Sequence, residues 1–366
     1  MSASKNHRFS RREFGQLAIA SLPMAGALAY GTPLFAAAQR QSSVFNGVTI
    51  GMIGNLGLTV TDPPSLAAAA AAIGLSSVEL GSGGFENFAG APAAPGRAGG
   101  GGRGGAAPGA GRQGAAPAGA PGAAVAAAPG AAPAAPGQGR GGGRATMTPE
   151  EQAAQQKYLE SIRQWRTTAP MDKFREFAKI YNDVGIQIHA FRITLTEAMS
   201  DAEYDYAFTA AKAVGAKSLT MELPTSGALT KRIGDFAAKH KLPTGYHTHL
   251  QATPTIFDEA LSQSPFNGIQ LDIGHYVAAT SQSPIPLVQR HHARITSMHL
   301  KDRKNAAGPN MPWGQGDTPI AEVLQLMRRE RYTWPAFIEL EYPVPEGSSR
   351  VAEITKCLEY CRKALA

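Results

Sequence analysis

Short apolar runs rich in β-branched residues recur along the chain and predict eight strands. They are Val48–Gly54, Ser77–Leu80, Ile186–Phe191, Ser218–Leu223, Thr244–His249, Ile269–Ile273, Ile295–Leu300 and Ala336–Tyr342. Between them apolar residues return at helical spacing, over Pro64–Ile73, Met171–Val184, Asp201–Val214, Leu229–His240, Thr255–Leu261, Ile285–His292, Ile320–Glu330 and Arg350–Leu365. Thr148, followed by Pro149-Glu150-Glu151, opens a further helical stretch over 148–167, with Thr148 as N-cap. Gly74, Gly185, Gly215 and Gly268 stand where a helix must stop and a strand begin. Strands that alternate with helices pair in parallel through crossover helices. Eight such repeats predict an α/β fold, a (β/α)8 barrel over residues 46–366. The competing open, doubly wound sheet carries a glycine-rich phosphate turn after its first strand, and Gly54-Asn55-Leu56-Gly57 lacks that spacing.

Composition changes the picture in two places. Of the 41 glycines and 26 prolines, 19 and 8 fall in residues 89–145, a stretch of almost only Gly, Ala, Pro, Arg and Gln. Such a segment cannot bury enough apolar surface to offset its ordering entropy, so it reads as a disordered insertion after the second strand, a solvated spacer. The net charge of +7 divides unevenly: residues 1–38 hold +3 and residues 89–145 hold +5, which leaves the barrel near neutral. A near-neutral body lacks the phosphate-binding surplus that nucleic acid requires. At the other end of the chain, Ser10-Arg11-Arg12-Glu13-Phe14 precedes an apolar run from Leu17 to about Tyr30 and then Leu34-Phe35-Ala36-Ala37-Ala38. This order is that of a signal peptide over 1–38 and resembles the twin-arginine type. It predicts a periplasmic protein that meets the twin-arginine export machinery. The run holds Gly and Pro and is too short for a stable membrane span in the mature chain. Cys357 and Cys361 lie one helical turn apart, poor geometry for a disulfide, and read as structural.

The predicted strand ends carry the chemistry. In a barrel of this kind the C-terminal strand ends form the active site. Here they offer Glu79, His189, Glu222, His247 with His249, Asp272 with His275, His299 with Lys301 and Arg303, and Glu339 with Glu341. One ionisable group inside an apolar strand is commonplace, but gathering so many at one point requires compensation. A bound divalent cation is the simplest compensation. Mixed carboxylate and imidazole donors, with no cysteine, suit Mn, Mg, Co, Zn or Fe(II).

Leu271-Asp272-Ile273-Gly274-His275, Met298-His299-Leu300-Lys301-Asp302-Arg303, Trp313-Gly314-Gln315-Gly316-Asp317 and Ile338-Glu339-Leu340-Glu341-Tyr342 together make the chain from residue 48 onward, insertion aside, resemble the sugar phosphate isomerase/epimerase group of xylose isomerase-like TIM barrels. The resemblance implies one divalent metal ion (Mn, Co, Mg or Zn) on Glu222, Asp272, His299 and Glu339, with Glu341 as the rival strand-eight ligand. It implies Glu222 and Glu339 as the catalytic acid and base. A small carbohydrate or keto-sugar is the implied substrate, with His275, Lys301 and Arg303 as contacts and His189, His247 and Glu79 as further pocket residues. The implied reaction is an isomerisation or epimerisation, by proton transfer through a metal-stabilised enediolate. The same site would serve a lyase or dehydratase acting on keto-sugars or 3-keto-glycosides. A non-catalytic sugar-binding barrel would show a lost ligand, and all four are present. An apurinic-site endonuclease needs further histidines, and the second strand offers Glu79 in their place. Ala228 stands where relatives acting on free ketohexoses carry a glutamate, which argues against a free ketohexose.

Overall fold

The computed structural model describes residues 42–54, 62–95 and 147–366. The expected signal peptide (1–38) and most of the expected insertion (89–145) lie outside the described residues. A two-residue strand, β1 (Val44–Phe45), turns through Asn46-Gly47, both at positive φ, into β2 (Val48–Ile53). Seven more parallel strands follow round the barrel: β3 (Ser77–Gly81), β4 (Gln187–Arg192), β5 (Ser218–Glu222), β6 (Thr244–His247), β7 (Asn267–Asp272), β8 (Ile295–Leu300) and β11 (Ala336–Ile338). Pairing of β2 with both β3 and β11 closes it. The chain is therefore a TIM barrel, as its alternating pattern predicts. A hairpin of β9 (Asp302–Arg303) and β10 (Asn310–Met311) stands above β8.

The helices are α1 (Pro63–Ile73), α2 (Ser82–Phe88), α3 (Pro149–Thr167), α4 (Met171–Asp183), α5 (Asp201–Ala213), α6 (Gly227–His240), α7 (Asp258–Gln263), α8 (Ile273–Thr280), α9 (Ile285–His291), α10 (Ile320–Glu330) and α11 (Arg350–Ala364). Each crossover helix buries one apolar stripe on the strands. In α10 that stripe is Ile320, Val323, Leu324 and Met327, spaced as one helix face. Every residue of β7 is buried, as expected where a parallel strand is covered on both sides. Thr148 caps α3 through a reciprocal bond with Glu151. Residues 96–146 fall between α2 and α3, after the second barrel strand. Cys357 and Cys361 are buried free thiols, and burial pushes Cys357 up to about 12. Among the described residues no helix is long and apolar enough to cross a membrane.

Three local expectations change. Gly74, Gly185 and Gly215 stop helices at positive φ, but Gly268 sits inside β7. There a Cβ would stand 2.8 Å from the Arg294 carbonyl oxygen, so close strand approach explains that glycine. Ile273 starts a helix instead of ending a strand, because the Asp272 carboxylate caps α8 by accepting from the His275 backbone N–H at 2.7 Å. Helix α2, immediately after β3, carries two glycines in a short stretch and has no clear sequence pattern.

Candidate active site at the C-terminal mouth

Strand register builds the mouth. Pairing of β5 with β6 sets Glu222 beside His247, and pairing of β7 with β8 sets Asp272 beside His299. Glu339 follows β11, its backbone N–H still bonded to the Leu300 carbonyl of β8 at 3.0 Å. These strand ends converge on one buried group. His299 Nδ1 lies 3.0 Å from Glu339 Oε2, and Lys301 Nζ lies 2.8 Å from the same oxygen and 2.9 Å from Asp272 Oδ2. His275 Nδ1 is 2.8 Å from Asp272 Oδ2, and His247 Nε2 is 4.0 Å from it. The ligating atoms of His247, Asp272 and His299 all fall within 4.8 Å of one another.

Electrostatics follow from this crowding. Burial lowers the affinity of His299 for a proton, but the Glu79 and Glu339 carboxylates outweigh it and hold the imidazole up at about 10. Burial raises Asp272 and Glu339, yet Lys301 and His275 hold Asp272 well below the usual carboxylate range, while His299 and Lys301 hold Glu339 low. Lys301 is pushed down by burial and up, by more, by Asp272, Glu339 and Glu341. His247 is held neutral by burial and by the His299 charge. Glu222 differs from Glu339. It stands nearer solvent, with Arg192 Nη2 3.3 Å from its Oε1 and His249 Nδ1 3.7 Å from its Oε2. Burial raises it, and Glu339 adds to the rise against Arg192 and His299.

The donor set fits a divalent cation. Three buried atoms, His247 Nδ1, His299 Nδ1 and Glu339 Oε2, have no hydrogen-bond partner among the described residues. Glu339 Oε2 is held by ion pairs alone, with His299 Nδ1 at 3.0 Å and Lys301 Nζ at 2.8 Å. Buried polar atoms in native proteins are seldom left so, and buried imidazole and carboxylate groups gathered in this way are what a hard or borderline metal takes. Of the two strand-eight candidates, Glu339 is the one beside His299. Glu341 is 38% exposed and meets Lys301 at 2.8 Å and the Asn310 amide at 3.3 Å.

Three expected substrate contacts are placed elsewhere. Ile188 pairs with Val78 and Ala190 with Glu79, so His189 is a bulged residue in β4. It faces the opposite end of the barrel, beside Lys217, Asn267, Ile295 and Thr296, with its ring 6.2 Å from that of Phe337. Glu79 is 2% exposed and sits behind His299. Its carboxylate faces His299 Nε2 at 3.0 Å and accepts from Thr220 Oγ1 at 3.2 Å and from the Gln270 amide, so it orients the imidazole. Arg303 donates to the Gly308 carbonyl at 2.7 and 3.2 Å and braces the β9–β10 hairpin. Conversely, His249, Arg192 and Gln270 belong to the site, although the sequence places His249 at a strand end without a role and does not single out Arg192 or Gln270. His249 and Gln270 each lie two residues from a selected side chain, His247 and Asp272, and strand alternation puts such pairs on one face. Arg192 carried no comparable signal.

Residues 228–363 match the xylose isomerase-like TIM barrel family. No curated protein matches the chain. Among solved structures, the probable 3-DHS dehydratase of petrobactin synthesis from Bacillus anthracis is 13% identical, with a TM-score of 0.51 over 87% of this chain and 98% of that one. The 3-keto-D-glucoside 4-epimerase from E. coli is 9% identical, with a TM-score of 0.49 over 86% and 99%. A xylose isomerase domain protein from Planctomyces limnophilus is 17% identical, with a TM-score of 0.44 over 53% and 82%. At such identities the likeness to the first structure bears on the fold alone.

Proposed function

We propose that this barrel is a divalent-metal-dependent isomerase or epimerase of a carbohydrate or keto-sugar. The observation that carries the reading is the buried cluster of His247, Asp272 and His299, whose ligating atoms fall within 4.8 Å of one another, with Glu339 Oε2 3.0 Å from His299 Nδ1. Glu222, Asp272, His299 and Glu339 would hold the ion. When bound, it would supply the positive charge that acidifies a C–H next to a carbonyl. The protein's own groups then divide the proton work. The Glu339 carboxylate, kept ionised by His299 and Lys301, is the acceptor. The Glu222 carboxyl, raised by burial and open to the mouth, is the group able to hold a proton and return it. Two carboxylates whose environments push them apart can remove and replace a proton on a carbon between them. Glu79 fixes the His299 ring, and Arg192 steadies Glu222.

Glu222→Gln and Glu339→Gln are each expected to reduce turnover by about 10²- to 10⁴-fold with the fold intact. The assay is a panel of keto-sugars and 3-keto-glycosides with added Mn, Co and Mg, read by product mass. Near wild-type turnover in either variant on a confirmed substrate would remove that residue from the mechanism. A product of unchanged mass identifies an isomerase or epimerase, whereas loss of water or an aglycone would identify a lyase.

A further inference from the structure

A second group of donors lies beside the carboxylate-rich one. His247 and His249 alternate at the end of β6, and His275 stands in the first turn of α8. Their rings meet edge to face, with centroids 4.8 Å apart for His247–His249, 4.5 Å for His249–His275 and 6.1 Å for His247–His275. One ligating nitrogen from each falls within 4.8 Å of the other two. The individual contacts are those of a prepared site. Asp272 engages His275 at Nδ1, which leaves Nε2 free, the arrangement by which a carboxylate orients a metal-binding imidazole. His247 is buried, with no hydrogen-bond partner for Nδ1. The His249 side chain is 49% exposed, so the group can be reached from solvent. Glu222 Oε2, 3.7 Å from His249 Nδ1, supplies a negative charge at its edge.

We propose that His247, His249 and His275 form a second divalent-cation site, distinct from the Asp272, His299 and Glu339 set. Its three imidazoles suit a borderline ion of the Zn2+ kind, whereas the carboxylate-rich set suits a harder one. His247 borders both groups, so the discriminating residue is His249, which belongs to the imidazole group alone. The proposal stands apart from the substrate chemistry proposed above.

The experiment strips the protein with a chelator and titrates it with Zn2+. It counts ions per chain by elemental analysis after desalting, with Co2+ absorbance as a second readout. Wild type is expected to hold two ions, and His249→Ala and His299→Ala one each. In Co2+-loaded protein, His249→Ala is expected to remove the visible band of the nitrogen-rich site. Because His249 is half exposed, circular dichroism of His249→Ala should match wild type, and His249→Gln provides a second variant. A single ion in wild type, or two ions retained by both His249 variants, overturns the proposal. If one ion binds, is kept by His249→Ala and is lost in His299→Ala, the imidazole site falls and the carboxylate site stands. If His299→Ala keeps two ions while His249→Ala loses one, the imidazole site stands and His299 is not a ligand of the other ion.

Discussion

Glu353 shows how single side chains in this barrel depend on their donors. Burial raises its carboxyl, but Lys356 Nζ at 2.7 Å, the Ser348 hydroxyl and Tyr342 Oη at 2.9 Å hold it below its ordinary 4.5. A carboxyl depressed in the folded state contributes stability that is complete above the unfolded value and is lost as pH falls through the folded one. Glu353→Gln is therefore expected to lower the melting temperature at pH 7, with the gap to wild type closing as pH drops below about 4. A gap that stays constant from pH 7 to pH 3 would show that the charge is not what Glu353 contributes. The same dependence on partners limits what a sequence can say of a site. Asp272, His299, Glu222 and Glu339 lie where strand ends point inward, and the structure brings all four to one mouth. Glu79 reads as an equal member because nothing in the chain reveals that His299 will stand in front of it. His189 reads as a mouth residue because simple alternation carries no sign of the bulge in β4.

At the scale of elements, long-range partners again decide what was legible. The strand cores were readable because parallel strands buried on both faces are short continuous apolar runs. The ends of β7 and β11 were not: a capping carboxylate, not hydrophobicity, terminates β7, and β11 stops at Ile338 although apolar residues alternate on through Leu340 and Tyr342. Helix α3 is a different case. It is largely exposed, with Ile162 its one buried residue and Trp165 packed on Phe174 and Tyr206, and charge adds to this apolar contact. Arg166 meets Glu86 at 2.9 Å and Glu203 at 3.7 Å, and Tyr206 Oη donates to Glu86 at 3.0 Å. With Arg166 15% exposed and Glu86 7% exposed, removing Glu86 leaves Arg166 poorly hydrated with Glu203, at 3.7 Å, as its nearest remaining carboxylate. Glu86→Ala is expected to destabilise the protein by about 3–5 kcal/mol and to admit trypsin at Lys157 and Arg163. Replacing both partners, as Glu86→Leu with Arg166→Met, is expected to recover much of that loss. Trypsin resistance in Glu86→Ala equal to wild type would place the docking of α3 elsewhere.

For the whole molecule the decisive quantity is the charge left in the mouth. Asp272, Glu222, Glu339 and Glu341 converge there with Glu79 behind His299, and the cations facing them include Lys301, His299, Arg192 and Arg350. Several carboxylates thus stand close together, two of them, Asp272 and Glu339, in a region largely closed to water, where like charges repel strongly. The fold tolerates this by pairing Lys301 with three carboxylates at once. A divalent cation bound to the folded barrel and not to the unfolded chain relieves the repulsion and stabilises the whole molecule by mass action. At one hundred times its dissociation constant that gain is about 2.7 kcal/mol. For a domain of this size each kcal/mol moves the melting temperature by about 2–4 °C. Mn2+, Co2+ or Zn2+ is therefore expected to raise the melting temperature of chelator-treated protein by several degrees, in a saturable way. His299→Ala is expected to abolish most of the rise, whereas Mg2+, which dehydrates reluctantly and disfavours imidazole, should give the smallest shift. Scanning calorimetry over a metal series tests this directly. A melting temperature that stays flat for every ion would mean that Lys301 and His299 alone balance the carboxylates, and the metal-dependent reading of the mouth would fall with it.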